Sequence, residues 1–165
     1  MTSVAQVIKN KAVQSVFTIS PNDTVLEAIK IMADKGVGAL VVAVDEKVVG
    51  IFSERDYTRK IALMERSSNS TLVADIMTAK VISVGLNHTV EECLGLMTDR
   101  HLRHLPVLEK EKLVGFISIG DLVKAAMDDQ RVLINSCNNI FRVKNLNTLK
   151  KGKLIALFFN VKLCF

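Results

Sequence analysis

The pattern of apolar and polar positions changes period several times between residues 16 and 64. VFTIS is a short β-branched run that predicts a strand. TVLEAIKIMADK follows, and its apolar side chains form one helical stripe: Val25, Ile29, Met32 and Ala33. Thr24 and Glu27 form a capping box at the helix start, and the helix is expected to stop near Gly36. ALVVAV and VVGIFS flank polar residues 45–47 and predict a hairpin, after which ERDYTRKIALM predicts a second helix.

The same pattern recurs 65 residues later. An ungapped comparison of residues 16–61 with residues 81–126 gives 15 identities in 46 positions, whereas about two or three are expected by chance from average composition. The register is kept through the capping box, now Thr89 with Glu92, and through the hairpin turn at residues 110–112. Two copies of one structural unit therefore follow each other in the chain.

One copy of about 50 residues buries too little apolar surface to be stable alone. We therefore expect the copies, residues 3–65 and 72–129, to pack against each other with pseudo-twofold symmetry. Each copy should hold a three-stranded sheet with its helices outside. The polar sequence RSSNST at residues 66–71 is predicted to connect the copies, and residues 4–8 and 73–77 to form a short lead-in before each.

The basic character of the chain lies in its last segment. Residues 1–129 carry 15 basic and 17 acidic side chains, a net charge of −2. Residues 130–165 carry seven basic and no acidic side chains, a net charge of +7. A repeat region close to neutrality gives little support to nucleic-acid binding through the fold, so no nucleic-acid partner is expected.

Residues 130–165 do not follow the repeat. Val132, Leu133 and Ile134 are expected to extend the last helix of the second copy. The remainder is rich in Asn, Lys, Ile, Leu and Phe, and residues 154–159 form an uncharged apolar run. Three interpretations stay open: a segment that docks on a partner or a membrane surface, an added strand, or non-native sequence from a frameshift or readthrough of AT-rich DNA.

Other features narrow the class of protein. No apolar run reaches the 18 or so residues of a membrane span, and the first residues lack a secretory signal. Cys93, Cys137 and Cys164 have unrelated spacings, so a reducing compartment and a cytoplasmic location are expected. Cys93 aligns with Ala28 and is interpreted as a small core residue. No phosphate-binding loop or dinucleotide fingerprint occurs, and no enzymatic activity is expected.

Two matched heptapeptides carry a family resemblance. GIFSERD at residues 50–56 and GFISIGD at 115–121 resemble the signature of CBS domains, the units named for cystathionine β-synthase. LRHLPV at residues 102–107 resembles the second landmark of the family. The resemblance covers about residues 3–129, and the short stand-alone CBS-pair proteins of bacteria and plant organelles look most similar. It implies an α/β (α+β) tandem CBS-domain pair, called a Bateman module.

The resemblance also implies a function. CBS pairs are regulatory modules that bind adenosine compounds in the cleft between the units, so AMP is the expected ligand, with ADP, ATP, NAD and S-adenosylmethionine as further candidates and no metal. A homodimer formed through helix faces and a regulated protein partner are also expected. The ligand-binding residues that the resemblance implies are Thr18, Gly38, Ser53, Arg55, Asp56, Val81, Ile82, Arg103, His104, Pro106, Ser118 and Asp121.

The two copies differ in charge beside their second strand. The second copy has a cluster of basic and titratable side chains there: Arg100, His101, Arg103 and His104. The first copy has Lys35, Gly36, Gly38 and Ala39 at the matched positions. A carboxylate can accept hydrogen bonds from both hydroxyls of a ribose, and arginine can bind a phosphate with paired donors.

Following the family, Ser53 and Asp56 should combine with Arg103 and His104 into one complete nucleotide site. Ser118 and Asp121 should face Gly38 and Ala39, which form a site with weak phosphate binding, either empty or selective for an uncharged adenosyl group.

Simpler interpretations of these residues stay open. Ser-x-x-Asp at a helix start is itself a cap, in which Ser53 accepts a hydrogen bond from the backbone N–H of Asp56. The basic cluster could be a solvated helix end, and His101 with His104 matches only part of a zinc site. A ligand-independent module for protein interaction is the alternative function.

Overall fold

The structure of the protein is a computed structural model that describes residues 2–11 and 15–136. The interpretations of residues 154–159, Cys137 and Cys164 lie outside the described residues. The chain divides into two compact units, Met1–Ala125 and Ala126–Phe165, and the strands of both copies belong to the first unit. None of the helices in the described ranges has the length and apolar character needed to cross a bilayer.

Secondary structure follows the predicted order in the first copy, and in the second copy except for the strand before its first helix. In chain order the elements are α1 (Val4–Asn10), β1 (Thr18–Ile19), α2 (Val25–Lys35), β2 (Ala39–Val44), β3 (Lys47–Ser53), α3 (Glu54–Tyr57) with a following π-helical turn (Thr58–Ala62), α4 (Val73–Ile76), α5 (Val90–Asp99), β4 (His104–Glu109), β5 (Lys112–Ser118) and α6 (residues 119–136). Helical structure through residue 136 confirms the expected extension of the last helix by residues 132–134.

Both predicted capping boxes are present. The Thr24 hydroxyl accepts a hydrogen bond from the Glu27 N–H, and the Glu27 carboxylate accepts one from the Thr24 N–H. Thr89 and Glu92 repeat this arrangement at the start of α5. Gly36 ends α2 with φ +63°, a left-handed conformation that a residue without a Cβ adopts at little cost.

The apolar stripe of α2 differs from the predicted one by one position. Val25, Ala28 and Met32 are buried and Ile29 is half-buried, whereas Ala33 is exposed. With 3.6 residues per turn, Ala33 lies about 80° around the helix from Val25, at the margin of the stripe, whereas Ala28, Ile29 and Met32 lie closer to its centre.

Each copy contains a tight β-hairpin. β2 pairs with β3, and β4 pairs with β5, both antiparallel and each with one register shift near the turn. The two turn residues have positive φ in both hairpins, 48° and 66° in the first and 47° and 66° in the second. This conformation is that of a type I′ turn, whose twist matches the twist of the strands that it joins.

The prediction of a third strand in the second copy is wrong. β1 pairs with β2 in parallel and completes a three-stranded sheet, but the equivalent residue Val84 makes only an isolated bridge to Val107. The reason is Pro106. In the first copy the N–H of Val41 donates to the Phe17 carbonyl at 3.2 Å; Pro106 stands at the position of Val41 and has no N–H to donate.

The two lead-in helices are exchanged between the copies. The N–H of Val4, in α1, donates to the His88 carbonyl of the second copy at 2.8 Å. The N–H of Val73, in α4, donates to the Asp23 carbonyl of the first copy at 2.9 Å. Val73 and Ile76 also join the buried core of the first copy: Ile19, Val25, Ala28, Met32, Leu40, Val42, Phe52 and Ile61. Each lead-in therefore belongs by packing to the copy that it does not precede.

The glycines that open the two family motifs make room for the exchanged lead-ins. A Cβ built on Gly50 would lie 2.5 Å from the Met77 Sδ, just after α4. A Cβ built on Gly115 would overlap the Ile8 Cδ1 of α1. Both glycines are buried in strands and have no positive φ, so the approach of the lead-in side chain is what excludes a larger residue.

We predict that Gly115→Ala lowers the free energy of unfolding by about 1–3 kcal/mol, because the new methyl group overpacks against Ile8. Urea denaturation measures this change. Combining it with Ile8→Val removes the overlapping Cδ1, so the double variant should lose less stability than the two single variants added together.

Gly95→Ala is the matched control. Gly95 lies in α5, and nothing lies within 4 Å of the position that an alanine Cβ would take there. Alanine at this position should therefore stabilise the protein by about 0.5–1 kcal/mol. Equal effects of the two glycine substitutions would contradict the packing of Ile8 on Gly115.

Candidate functional site

Ser53 and Asp56 cap the helix that follows β3. The Asp56 Oδ2 accepts hydrogen bonds from the Ser53 N–H at 3.2 Å and from the Ser53 hydroxyl at 2.6 Å. The Asp56 N–H donates to the Ser53 Oγ at 3.3 Å. The interpretation of Ser-x-x-Asp as a helix cap is confirmed, and the cap orients the Asp56 carboxylate at the carboxyl-terminal end of β3.

The second oxygen of Asp56 also has partners. The Lys60 ammonium lies 3.0 Å from the Asp56 Oδ1 and donates to the Ile76 carbonyl of α4 at 2.6 Å. The Thr78 hydroxyl donates to the same Oδ1 at 3.4 Å. The Asp56 carboxylate is therefore held by its own helix and by the segment that follows the exchanged lead-in.

Asp121 occupies the matched position after β5. Its Oδ2 accepts hydrogen bonds from the Ser118 N–H at 2.8 Å and from the Ser118 hydroxyl at 2.7 Å. The Lys11 ammonium lies 3.0 Å from this same oxygen and donates to the Phe116 carbonyl at 2.9 Å. Partial burial acts to raise the pKa of Asp121, but the bonds from Ser118 and the charge of Lys11 outweigh burial and lower it.

His104 lies beside Asp121 on the same sheet edge. It pairs with Ser118 across the hairpin, and its ring stacks on Phe116 with centroids 5.4 Å apart and planes 11° from parallel. Burial lowers the pKa of His104, and the charge of Lys11 adds to this effect while Asp121 opposes it. The imidazole is therefore held neutral to a lower pH than a free histidine.

In each copy the start of the second strand is hydrogen-bonded to the helix start of the same copy. The Gly38 carbonyl accepts from the Glu54 N–H at 3.1 Å, and the Arg103 carbonyl accepts from the Ile119 N–H at 2.9 Å. This pairing places Arg103 and His104 near Ser118 and Asp121. The predicted grouping of Arg103 and His104 with Asp56 stays a prediction.

One side chain connects the site of the first copy to the basic cluster of the second. The Arg55 Nη1 donates to the His101 carbonyl at 3.3 Å. His101 takes the place of Gly36 and has φ +53°, so a residue other than glycine adopts the left-handed conformation in the turn after α5. The turn that holds Asp56 thus reaches the residues that precede β4.

The other predicted ligand residues occupy several environments. Thr18 is exposed in β1, Val81 and Ile82 are half-buried before the Val84 bridge, and Pro106 is buried in β4.

Cys93 is fully buried in α5, which confirms its interpretation as a core residue, and burial raises the pKa of its thiol. Over the described ranges, no three His, Cys, Asp or Glu side chains are grouped in a way that could hold a metal ion.

The sequence interpretation missed three polar residues at this site: Lys11, Lys60 and Thr78. The spacing of Lys60 four residues after Asp56 on a helix is a signal that could have identified that ion pair. Lys11 lies 110 positions before Asp121 in the chain, and no local spacing relates them. Only the exchange of the lead-ins brings Lys11 to its carboxylate.

The fold and the two capped aspartates define a paired α/β module with one candidate ligand position at the same sheet edge of each copy. The chain belongs to the CBS domain family: the family model matches residues 4–63 and 73–128. The family resemblance and the tandem arrangement of the copies are thereby confirmed.

Relatives with known names and structures cover most of the chain. The mitochondrial CBS domain-containing protein CBSX3 of Arabidopsis thaliana is 40% identical over 145 residues, or 83% of this chain and 70% of that protein. A protein with CBS domains from Burkholderia ambifaria MC40-6 is 51% identical, with a TM-score of 0.75 over 78% of this chain and 96% of that one. A CBS-domain containing protein from Agrobacterium tumefaciens has a TM-score of 0.72 at 36% identity, over 76% of this chain and 99% of that one.

We predict that His104 makes the protein less stable as the pH falls below about 6.5, the ordinary pKa of histidine. The folded-state pKa of His104 is lowered, so the unfolded chain takes up this proton first and stability falls with pH until the folded state is protonated as well. His104→Gln removes this contribution. Urea denaturation at pH 7.5, 6.0 and 5.0 should show a shallower loss of stability for the variant.

His101→Gln is the control, because it makes the same substitution at a histidine whose side chain is exposed. Parallel stability curves for the two glutamine variants would show that the environment of His104 does not penalise its charged form.

Proposed function

We propose that this protein is a non-enzymatic regulatory module that binds an adenine nucleotide between its two CBS copies, with AMP as the preferred ligand. One observation carries the proposal. A capped carboxylate lies at the same sheet edge of each copy, and a basic strand start, Arg103 and His104, occurs in one copy only. A carboxylate suits a ribose diol, and a guanidinium suits a phosphate.

The ribose of AMP is assigned to Asp56 and its phosphate to Arg103 and His104. The hydrogen bond from Arg55 to the His101 carbonyl supports this assignment, because it brings the helix start that carries Asp56 to the residues before β4. A phosphate there would favour protonation of His104, which burial and Lys11 otherwise oppose. Asp121, which lies on the same sheet edge as His104, is the competing partner for the ribose.

Ligand binding would be transmitted by differential affinity. A nucleotide that touches Asp56 in the first copy and Arg103 in the second binds more tightly to the arrangement in which these residues converge. It therefore shifts the population toward that arrangement, by no more than the difference in binding free energy between the two states.

Two neighbouring structures are consistent with this proposal. The CBS domain pair of protein MJ0100 was solved in complex with 5′-methylthioadenosine and S-adenosyl-L-methionine, and it shares the fold at 21% identity and a TM-score of 0.68. A CBS-CP12 protein from bloom-forming cyanobacteria, 24% identical with a TM-score of 0.66, is hexameric. We propose a homodimer for this chain and a protein partner that responds to its ligand. CBSX3 is mitochondrial, and a cytoplasmic location for this chain stays a prediction.

A second function is favoured by one specific observation. Both motif carboxylates already have an ammonium partner from the chain itself, Lys60 at Asp56 and Lys11 at Asp121. A cleft satisfied by its own side chains fits a ligand-independent interaction module. An assembled oligomer that shows no thermal shift with AMP, ADP, ATP, NAD or S-adenosylmethionine would favour this second function.

We predict that Arg103→Ala weakens the binding of AMP by roughly 1.5–3 kcal/mol, the magnitude of a charge-assisted hydrogen bond, and leaves the binding of adenosine nearly unchanged. Isothermal titration calorimetry with both ligands measures the difference. Arg66→Ala is the control, because Arg66 is an exposed arginine of the connector and its loss changes the net charge equally. Equal losses for AMP and adenosine would remove Arg103 from the phosphate site.

The two aspartates should differ in their effect on AMP. Asp56→Asn keeps the size of the side chain but removes the negative charge that accepts hydrogen bonds from the ribose hydroxyls. Most of the AMP affinity should therefore be lost. Stability should change by about 1 kcal/mol or less, the worth of a helix cap. Asp121→Asn should leave AMP largely bound. Calorimetric titration of both variants is decisive: loss of AMP binding in Asp121→Asn alone would assign the ribose to Asp121.

A further inference from the structure

The ammonium of Lys11 lies on the motif carboxylate of the second copy. It is 3.0 Å from the Asp121 Oδ2 and donates to the Phe116 carbonyl at 2.9 Å, so two acceptors of the second copy fix its position. The side chains of Lys11 and Asp121 are 28% and 22% exposed. The ion pair therefore lies at the edge of the protein interior, where a ligand could reach it and where salt still screens it in part.

Lys11 comes from outside the copy whose site it enters. It is the residue directly after α1, and α1 is anchored to the second copy by the Val4 and Ala5 N–H groups, which donate to the His88 and Leu86 carbonyls. The other lead-in is followed by Thr78, which places a neutral hydroxyl 3.4 Å from the Asp56 Oδ1. The two exchanged segments thus differ in the group that contacts the aspartate: Lys11 is charged and Thr78 is neutral.

The lysine partner of Asp56 has another origin. Lys60 lies four residues after Asp56 on the same helical segment, as an ordinary i, i+4 pair. Lys60 also donates to the Ile76 carbonyl of α4 at 2.6 Å, so it too is held by two acceptors. Lys11 differs from Lys60 because it enters the Asp121 site from the lead-in that packs on Gly115, and not from the helix that carries the aspartate.

We propose that Lys11 is a tethered cation that closes the Asp121 site of the second copy to uncharged adenosine ligands, so that this site opens only when Lys11 leaves. The proposal rests on the proposed function, because it takes Asp121 to be a ribose acceptor. A ribose diol and the Lys11 ammonium compete for the same carboxylate, and an uncharged nucleoside offers the ammonium no anion in exchange. Lys11 thereby lowers the affinity of the Asp121 site for an uncharged nucleoside.

The test replaces Lys11 by methionine, which keeps an unbranched apolar stem and removes the charge. Lys11→Met should bind adenosine about two- to fivefold more tightly than the parent protein, the factor that corresponds to loss of a partly exposed ion pair. The affinity for AMP at the Asp56 site should change by less than about twofold. Isothermal titration calorimetry with adenosine and with AMP on the full chain measures both.

Salt provides an independent readout. Raising the ionic strength weakens the Lys11–Asp121 pair, so the adenosine affinity of the parent protein should rise with salt, whereas that of Lys11→Met should stay flat because adenosine carries no charge.

Two further variants serve as controls. Lys112→Met removes the same charge from the second copy, but Lys112 is exposed at the turn end of β5. The adenosine affinity of this variant should therefore match that of the parent protein. Lys11→Met combined with Asp121→Asn should lose the gain, since the carboxylate that Lys11 uncovers is gone.

The outcomes separate the two proposals. If the parent protein binds AMP while Lys11→Met shows no gain in adenosine binding, or a gain that survives Asp121→Asn, the role of Lys11 is overturned and the proposed function stands. If neither the parent protein nor Lys11→Met binds AMP or adenosine, the proposed function fails and the role of Lys11 fails with it. The role of Lys11 is supported if the gain in adenosine affinity of Lys11→Met over the parent protein requires Asp121. The same gain should shrink as added salt weakens the Lys11–Asp121 pair of the parent protein.

Discussion

The packing of each lead-in helix on the opposite copy is the contact on which the rest of the structure depends. A single copy has an incomplete core, and Val73 with Ile76 of α4 completes the core of the first copy from outside its own repeat. The close approach leaves no room for a Cβ at Gly50 or Gly115. Neither copy can therefore fold with its full core unless the lead-in of the other is in place, which ties the two copies into one cooperative unit.

The same exchange builds the chemistry of the motif aspartates. A serine cap holds one carboxylate oxygen of Asp56 and of Asp121 in the same way, so the local structure of the two sites is alike. The lead-ins deliver different groups, the Thr78 hydroxyl to the first carboxylate and the Lys11 ammonium to the second, whereas the ammonium at Asp56 comes from Lys60 of its own helix. Each carboxylate thus has an ammonium partner, but the lead-in supplies it in the second copy only, so the surroundings of the two carboxylates differ.

A single proline shows how local chemistry can also break the symmetry of the fold. Pro106 replaces the donor that Val41 supplies in the first copy, and the strand before β4 is reduced to the bridge at Val84. The first copy keeps a three-stranded sheet, whereas the second keeps the hairpin of β4 and β5. The loss was readable from the sequence, since proline cannot donate to a neighbouring strand, but the repeat pattern suggested equal copies and concealed it.

The sequence by itself determined the repeat, because the two copies align without a gap. It also determined the capping boxes at Thr24 and Thr89 and the helix-cap role of Ser53, because each cap depends on residues three positions apart. The tertiary structure alone decided which copy each lead-in joins, and with it the contact of Lys11 with Asp121. Both copies have a glycine at the point where a lead-in packs closely, Gly50 in the first and Gly115 in the second. The choice between them is made by packing and loop closure over the whole chain, and no local spacing records that choice.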